Sequence, residues 1–262
     1  MHVAQSIPAS VLGVFLCALV LRPAAAQTAT DDATAASALS EIDSLREAGA
    51  FEEAMACLDS LHAREGDRVE ILWRRSLTQV DVAKALDEKD ERTPLYEKAL
   101  SDAEAALAVD STSGPSHLAV AVAEGRLALE AGTRERIRRS RAVKQHADRA
   151  IELDSTLAGA YHIRGRWHRE VDDLGFFERA IVKTVYGGLP EASSEQAVED
   201  FRRALDLEER TFHYLELGKT YLQMDRPNEA REALRAALDV PNHDPFAPDH
   251  KEEARELLDD LG

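Results

Sequence analysis

Tyr214-x2-Leu217-Gly218-x2-Tyr221, followed nine residues on by Ala230-x3-Leu234-x2-Ala237, is the stretch whose reading decides the fold. Spacings of three and four place each set on one side of a helix, so the two segments form a helical hairpin with a single apolar side. A glycine at 218 lets two helix backbones approach closely, and the aromatic and leucine positions fill the remaining gap. Such a hairpin cannot bury its apolar side alone and needs a neighbour of the same kind.

The neighbours are present. The second-helix triplet recurs as Ala54/Leu58/Leu61, Ala99/Ala103/Ala106, Val143/Ala147/Ala150 and Ala197/Phe201/Ala204. Four copies close alike, at Asp110, Asp154, Glu208 and Pro241. Upstream, Tyr161 and Gly165 take the first-helix places in the fourth copy and Trp73 and Leu77 in the second, while the third (His117, Ala121) and first (Ala38, Leu45) are degenerate. The last copy matches the tetratricopeptide signature. The fold expected is therefore all-α, a tetratricopeptide-like α-α superhelix of about five hairpins over residues 38–262. Successive triplets lie 45, 44, 54 and 33 residues apart, so only the last interval is of the ordinary length of about 34. The excess implies lengthened helices, one ending near Lys89-Asp90-Glu91 and one running through the Arg-rich stretch after Gly132. It also implies an inserted segment from Val171 to Pro190, in which Phe177, Ala180, Ile181 and Val185 make an amphipathic short helix. A capping helix follows at the C-terminus, with Ala254, Leu257, Leu258 and Leu261 at helical spacing.

The chain of 262 residues carries 49 acidic against 32 basic side chains, a formal charge of −17, which opposes nucleic-acid binding. Val11 to Leu21 is an apolar run ended by Pro23 and Ala24-Ala25-Ala26, the form of a secretory signal cleaved after Ala26. The expectation is an exported protein, periplasmic or secreted, with residues 27–37 as a flexible leader. Because the segment before the run holds His2 but no Lys or Arg, an uncleaved N-terminal anchor is the alternative. Cleavage would leave Cys57 as the single cysteine, so no intrachain disulfide or cysteine metal cluster is expected, and Cys57 reads as a small buried apolar residue.

Four segments together resemble the regulator of microtubule dynamics family: Ala160-Tyr-His-Ile-Arg-Gly165-Arg166-Trp167, the Phe176-Phe-Glu-Arg insert ending in Gly187-Gly-Leu-Pro190, Ala192 to Phe201, and Leu215 to Tyr221. The resemblance implies a helical repeat domain without catalytic residues. In animal members it is associated with microtubules, mitochondria or membrane contact sites, and in one with phospholipid binding. This chain departs from them in opening on what reads as a bacterial-type export signal.

On a tetratricopeptide hairpin the first helix lines the concave groove. Applied here, that places Arg74, Arg126, His162, Arg166, Arg169, Lys219 and Gln223 on one wall. Arginine forks bind carboxylate or phosphate, so the wall is expected to hold an anionic or extended peptide or protein ligand. The competing reading has Arg166 and Arg169 merely bracing the insert through Asp172, Asp173 and Glu195. A second candidate is the block from Arg134 to Arg149, in which Arg134, Arg138 and Arg141 share a face able to meet an anionic lipid. Its bland alternative is a solvated helix screened by neighbouring acids. No enzyme motif is found. Gly218-Lys219-Thr220 lacks the upstream glycine of a phosphate loop, His162 and His168 are six apart and cannot share a face, and His243-Asp244 reads as a turn. No cofactor or metal is expected. The reading is a non-catalytic scaffold, with an anionic-lipid-associated envelope adaptor, or by resemblance a microtubule-associated regulator, as alternatives.

Overall fold

The computed structural model describes residues 24–242 and 244–262. All regular structure among them is helical. The expected export signal lies outside them up to Pro23, as does His243. Residues up to Ser37 form one unit and Ala38–Gly262 another. Residues 27–37, read from composition as a leader, belong to helix α1 (Ala24–Glu47), in keeping with their alanine content. No helix of the described residues is long and apolar enough to cross a membrane.

Five helix pairs follow one another: α1 with α2 (Phe51–Glu65), α3 (Val69–Lys84) with α4 (Lys89–Val109), α5 (Gly114–Glu130) with α6 (Thr133–Leu153), α7 (Ala158–Asp172) with α9 (Ser194–Leu207), and α10 (Thr211–Gln223) with α11 (Pro227–Asp239). The inserted α8 (Phe176–Tyr186) rests on α6, and α12 (Ala247–Asp260) covers α10 and α11. Every residue of the five second-helix triplets is buried, which is why small and aliphatic residues recur there. The added length falls on the second helices α4 and α6, 21 residues each, so Lys89 opens a helix where one was expected to end. Glu88 precedes it in an extended conformation, and Asp90 and Glu91 in the first turn complement the helix dipole.

Close approach is set by two glycines. A Cβ on Gly165 would lie 3.0–3.2 Å from the Phe201 ring, and one on Gly218 would lie 2.7 Å from Leu234. Both partners are fully buried and cannot swing aside.

Cys57 is exposed, which corrects its reading as a core residue. It precedes Leu58 by one position, and the 100° step of a helix turns it off the buried Ala54/Leu58/Leu61 face. The insert is corrected too: Val182 is its buried aliphatic residue, whereas Ala180, Ile181 and Val185 face solvent.

Within the Ala38–Gly262 unit the first and last repeats meet. Phe51 stacks on Phe246 at 5.6 Å, Lys84 Nζ sits 3.4 Å over the Phe246 ring, and Arg210 reaches Glu47 at 3.5 Å. Gly49 turns there at φ 79°, with Pro245 2.9 Å from where a Cβ would be. A glycine is needed on both counts.

Gly218→Ala is expected to cost about 1–3 kcal/mol through overpacking. Leu234→Ala in the same chain should recover part of that loss, a non-additivity that denaturant unfolding of the two single variants and the double variant measures.

Candidate functional site

The first helices α3, α5, α7 and α10 present the predicted wall, and most of its cations already have partners. Arg74 binds the Asp43 carboxylate through Nε and Nη2, both at 2.9 Å. Arg166 pairs with Glu170 at 2.8 Å and faces Glu216 at 3.7 Å, while Arg169 pairs with Glu216 at 2.7 Å. Lys219 lies 3.4 Å from Glu216 and also pairs with Glu253. The cluster thus centres on Glu216, a buried carboxylate. Burial alone would raise its pKa, but Arg166, Arg169 and Lys219 together hold it below the usual carboxylate range. Arg166 and Arg169 are therefore bridged across α7 and α10 rather than bracing the insert through Asp172, Asp173 or Glu195. Gln223 is engaged as well, donating to Arg169 O and Ser194 Oγ at 3.1 Å.

His162 packs into a ring cluster. Its Nδ1 lies 3.0 Å from His213 Nδ1, so one ring donates and the other accepts, and Phe201 and Phe212 meet it edge-on. Enclosure pushes His162 well below the usual imidazole value and His213 down to about 3, so both are neutral at pH 7.

Arg126 is different. It has no carboxylate partner and no hydrogen bond among the described residues, and burial, reinforced by nearby Arg166, holds its pKa below the ordinary guanidinium value. It stays charged all the same. It borders a cavity of about 620 Å³ between α5, α6, α7 and α8. The floor is apolar, made by the buried Ile137, Val143, Trp167 and Val182, and the rim carries Leu129, Thr133, Arg136 and Ile181. Trp167 is fixed in place by its Nε1, which donates to Ser140 O at 2.8 Å. A space of this size, lined mainly by hydrocarbon, with Arg126, Arg136 and the Arg166–Glu170 pair as its charged groups, has the make-up of a small-molecule site.

The second basic block is mostly neutralised. Arg138 pairs with Glu135 at 2.6 Å, Arg139 with Glu124 at 2.5 Å, Lys144 with Asp148 at 2.5 Å, and Arg149 with Glu152 at 3.0 Å. Arg141 donates from Nε to the Gly188 carbonyl at 3.0 Å and holds the end of the insert. Arg134 is exposed and has no carboxylate partner among the described residues. No three His, Cys, Asp or Glu side chains among the described residues are grouped to hold a metal ion.

Two residues central to this geometry escape the sequence reading. Glu216 is one acid among 49, and only its burial between three cations marks it out. Lys84, the last residue of α3, faces Phe246 from a repeat far away in the chain, and burial lowers its pKa to about 8.

Paired helices with small-residue contacts, stacked and capped, define a tetratricopeptide-type helical repeat protein. The same architecture is seen in a solved thermophilic tetratricopeptide protein of Thermus thermophilus, with a TM-score of 0.61 and 18% identity over 86% of this chain and 98% of that one. Residues 38–262 match the model of the family described as regulator of microtubule dynamics protein 1-3, and the chain belongs to that family. It is 30% identical to regulator of microtubule dynamics protein 1 of Bos taurus over 224 residues, 84% of this chain and 70% of that protein. Against regulator of microtubule dynamics protein 3 of Xenopus laevis it is 29% identical over 68% of this chain but only 39% of the relative's length.

Glu216→Ala removes the carboxylate that three cations share, leaving Arg166 and Arg169 to Glu170 and Lys219 to Glu253, and should lower stability by about 1–3 kcal/mol in urea unfolding. A smaller loss is expected for Glu216→Gln. Stability should also depend on pH through the enclosed histidines. Their folded pKa values are lowered, so the unfolded chain takes up protons first as pH falls. The contribution is full above about pH 6.5 and is lost between there and the folded values, about 3 for His213. The slope is roughly 1.4 kcal/mol per pH unit for each proton. Unfolding midpoints from pH 7 to 4 should fall, and fall less steeply in His213→Asn; a flat profile would contradict the assignment.

Proposed function

We propose that this protein is a non-catalytic binding scaffold whose ligand sits in the cavity between α5, α6, α7 and α8 and is an anionic amphiphile of the lipid class. The observation that carries the reading is Arg126, a half-buried guanidinium without a paired carboxylate among the described residues, at the edge of a space lined mainly by hydrocarbon. A partly desolvated charge without a paired carboxylate is unfavourable, and a ligand anion on Arg126 relieves that cost while the ligand's apolar body covers the floor. An extended acidic peptide in the concave groove is less well supported, because Arg74, Arg166, Arg169 and Lys219 are already neutralised from within. The family name of the relatives describes regulators, and a scaffold that senses or carries a ligand accords with such a role. An export signal of the kind read before Gln27 would bring this scaffold to the cell envelope.

Titration with a naturally fluorescent long-chain fatty acid tests the reading. Wild-type protein should bind it saturably, and Arg126→Met should weaken binding by about tenfold or more, the worth of one charge-assisted contact. Arg74→Met, remote from the cavity and paired with Asp43, should leave the affinity within about twofold. Absence of wild-type binding, or equal affinity in Arg126→Met, would overturn the proposal.

A further inference from the structure

Four large apolar side chains stand out as exposed among the described residues, and three of them gather at one edge of the cavity. Leu129 (52% exposed) and Ile181 (55%) form its rim, and Val185 (63%) continues the same side of α8 one turn further on. Leaving aliphatic groups in water beside a pocket is unfavourable, by about 25 cal/mol for each Å² that a partner could cover. Ile181 and Val185 also belong to the apolar stripe that the spacing of the insert picks out. The structure turns Val182 inward instead and leaves Ile181 and Val185 exposed.

The charges around the rim identify the partner. Arg134, next to the rim residue Thr133, and Lys183, between Val182 and Val185, are exposed and have no carboxylate partner among the described residues. Rim residue Arg136 spends its donors on the Ala128 and Ala131 carbonyls at 3.2 Å, which adds a cation without consuming an acid. In a chain of net charge −17 this is a local excess of positive charge, set around aliphatic tips. Aliphatic tips that enter hydrocarbon, flanked by cations at headgroup level, make the surface of an element lying in a bilayer interface. Elsewhere the acidic surface repels an anionic membrane, so contact is confined to this edge.

We infer that the α8 edge, comprising Leu129, Ile181 and Val185 with Arg134, Arg136 and Lys183, is a docking surface for an anionic lipid bilayer. It sets the cavity mouth against the membrane. The inference builds on the proposed amphiphile site, since a mouth held at the bilayer lets a lipid pass between membrane and cavity without crossing water. The cationic contacts attract headgroups and weaken with salt, while the aliphatic contacts hold.

The test is flotation of the full chain with vesicles of phosphatidylcholine, alone or mixed with phosphatidylglycerol, beside the fatty-acid titration. Wild-type protein should float with the mixed vesicles and much less with the neutral ones. Val185→Glu/Lys183→Glu, which changes two exposed residues outside the cavity lining, should weaken flotation by about tenfold or more while fatty-acid binding and the helical circular dichroism stay unchanged. Arg126→Met should do the reverse, keeping flotation and losing the fatty acid. Flotation of the double variant equal to wild type, no wild-type flotation, or no preference for phosphatidylglycerol would each overturn docking. Loss of fatty-acid binding by the double variant along with flotation would overturn the separation of surface and site. If sedimentation shows a wild-type dimer that Val185→Glu abolishes, the edge meets a second copy of the chain and the membrane inference fails.

Discussion

The structure depends on how closely neighbouring helices can approach. Gly218 meets Leu234 and Gly165 meets Phe201 at distances that leave no room for a Cβ, and the alanines of the second helices extend the same close contact along the array. Because each hairpin has an apolar side that only its neighbour covers, the repeats must stack, and stacking brings the first helices side by side. Once they are there, the side chains on their inner wall face one another rather than water. Everything that distinguishes this wall, from the Glu216 cluster to the unpaired Arg126, follows from that enforced proximity.

The inner wall settles most of its charge internally. Glu216 serves Arg166, Arg169 and Lys219 at once, and Asp43 serves Arg74, so cations that look like a ligand-binding row in the sequence are in fact cross-links between repeats. Such links fix the relative orientation of the hairpins more than they add stability, since desolvation offsets much of the Coulomb attraction. On the cavity side Arg126 has hydrocarbon neighbours in Val122, Leu129 and Ile163, while Glu170, the carboxylate of the lining, is paired with Arg166. One uncompensated charge beside a hydrocarbon-lined cavity is what separates a binding site from a braced wall.

The hairpin order, the buried triplets and the C-terminal cap were legible because a period of 3.6 residues records which side of a helix is buried. Misreadings arose where that period gives too little information. Cys57 lies one residue from a buried leucine, and on a helix one residue is enough to reach solvent. The insert has a clear apolar stripe, yet Val182, outside the stripe, is buried while Ile181 and Val185 of the stripe are exposed. Periodicity says that a side is apolar and not whether anything covers it. Lys89 opens a helix rather than closing one because a charged run suits either end. At the site, the residue types on the wall were legible and most of their pairing was not, because apart from the local pairs Arg166–Glu170 and Lys219–Glu216 the acids that neutralise them come from other repeats. Glu216 and Asp43 lie 50 and 31 residues from the arginines Arg166 and Arg74 that they serve. No local pattern could single them out among so many carboxylates.

A crystal structure of the protein grown with a long-chain fatty acid tests most directly whether the cavity holds an anionic amphiphile. Continuous density is expected along Ile137, Val143, Trp167 and Val182, with the carboxylate in hydrogen-bond contact with the Arg126 guanidinium. A cavity filled only by water, or a fatty acid seated elsewhere while Arg126 finds a carboxylate of the protein itself, would contradict the proposal.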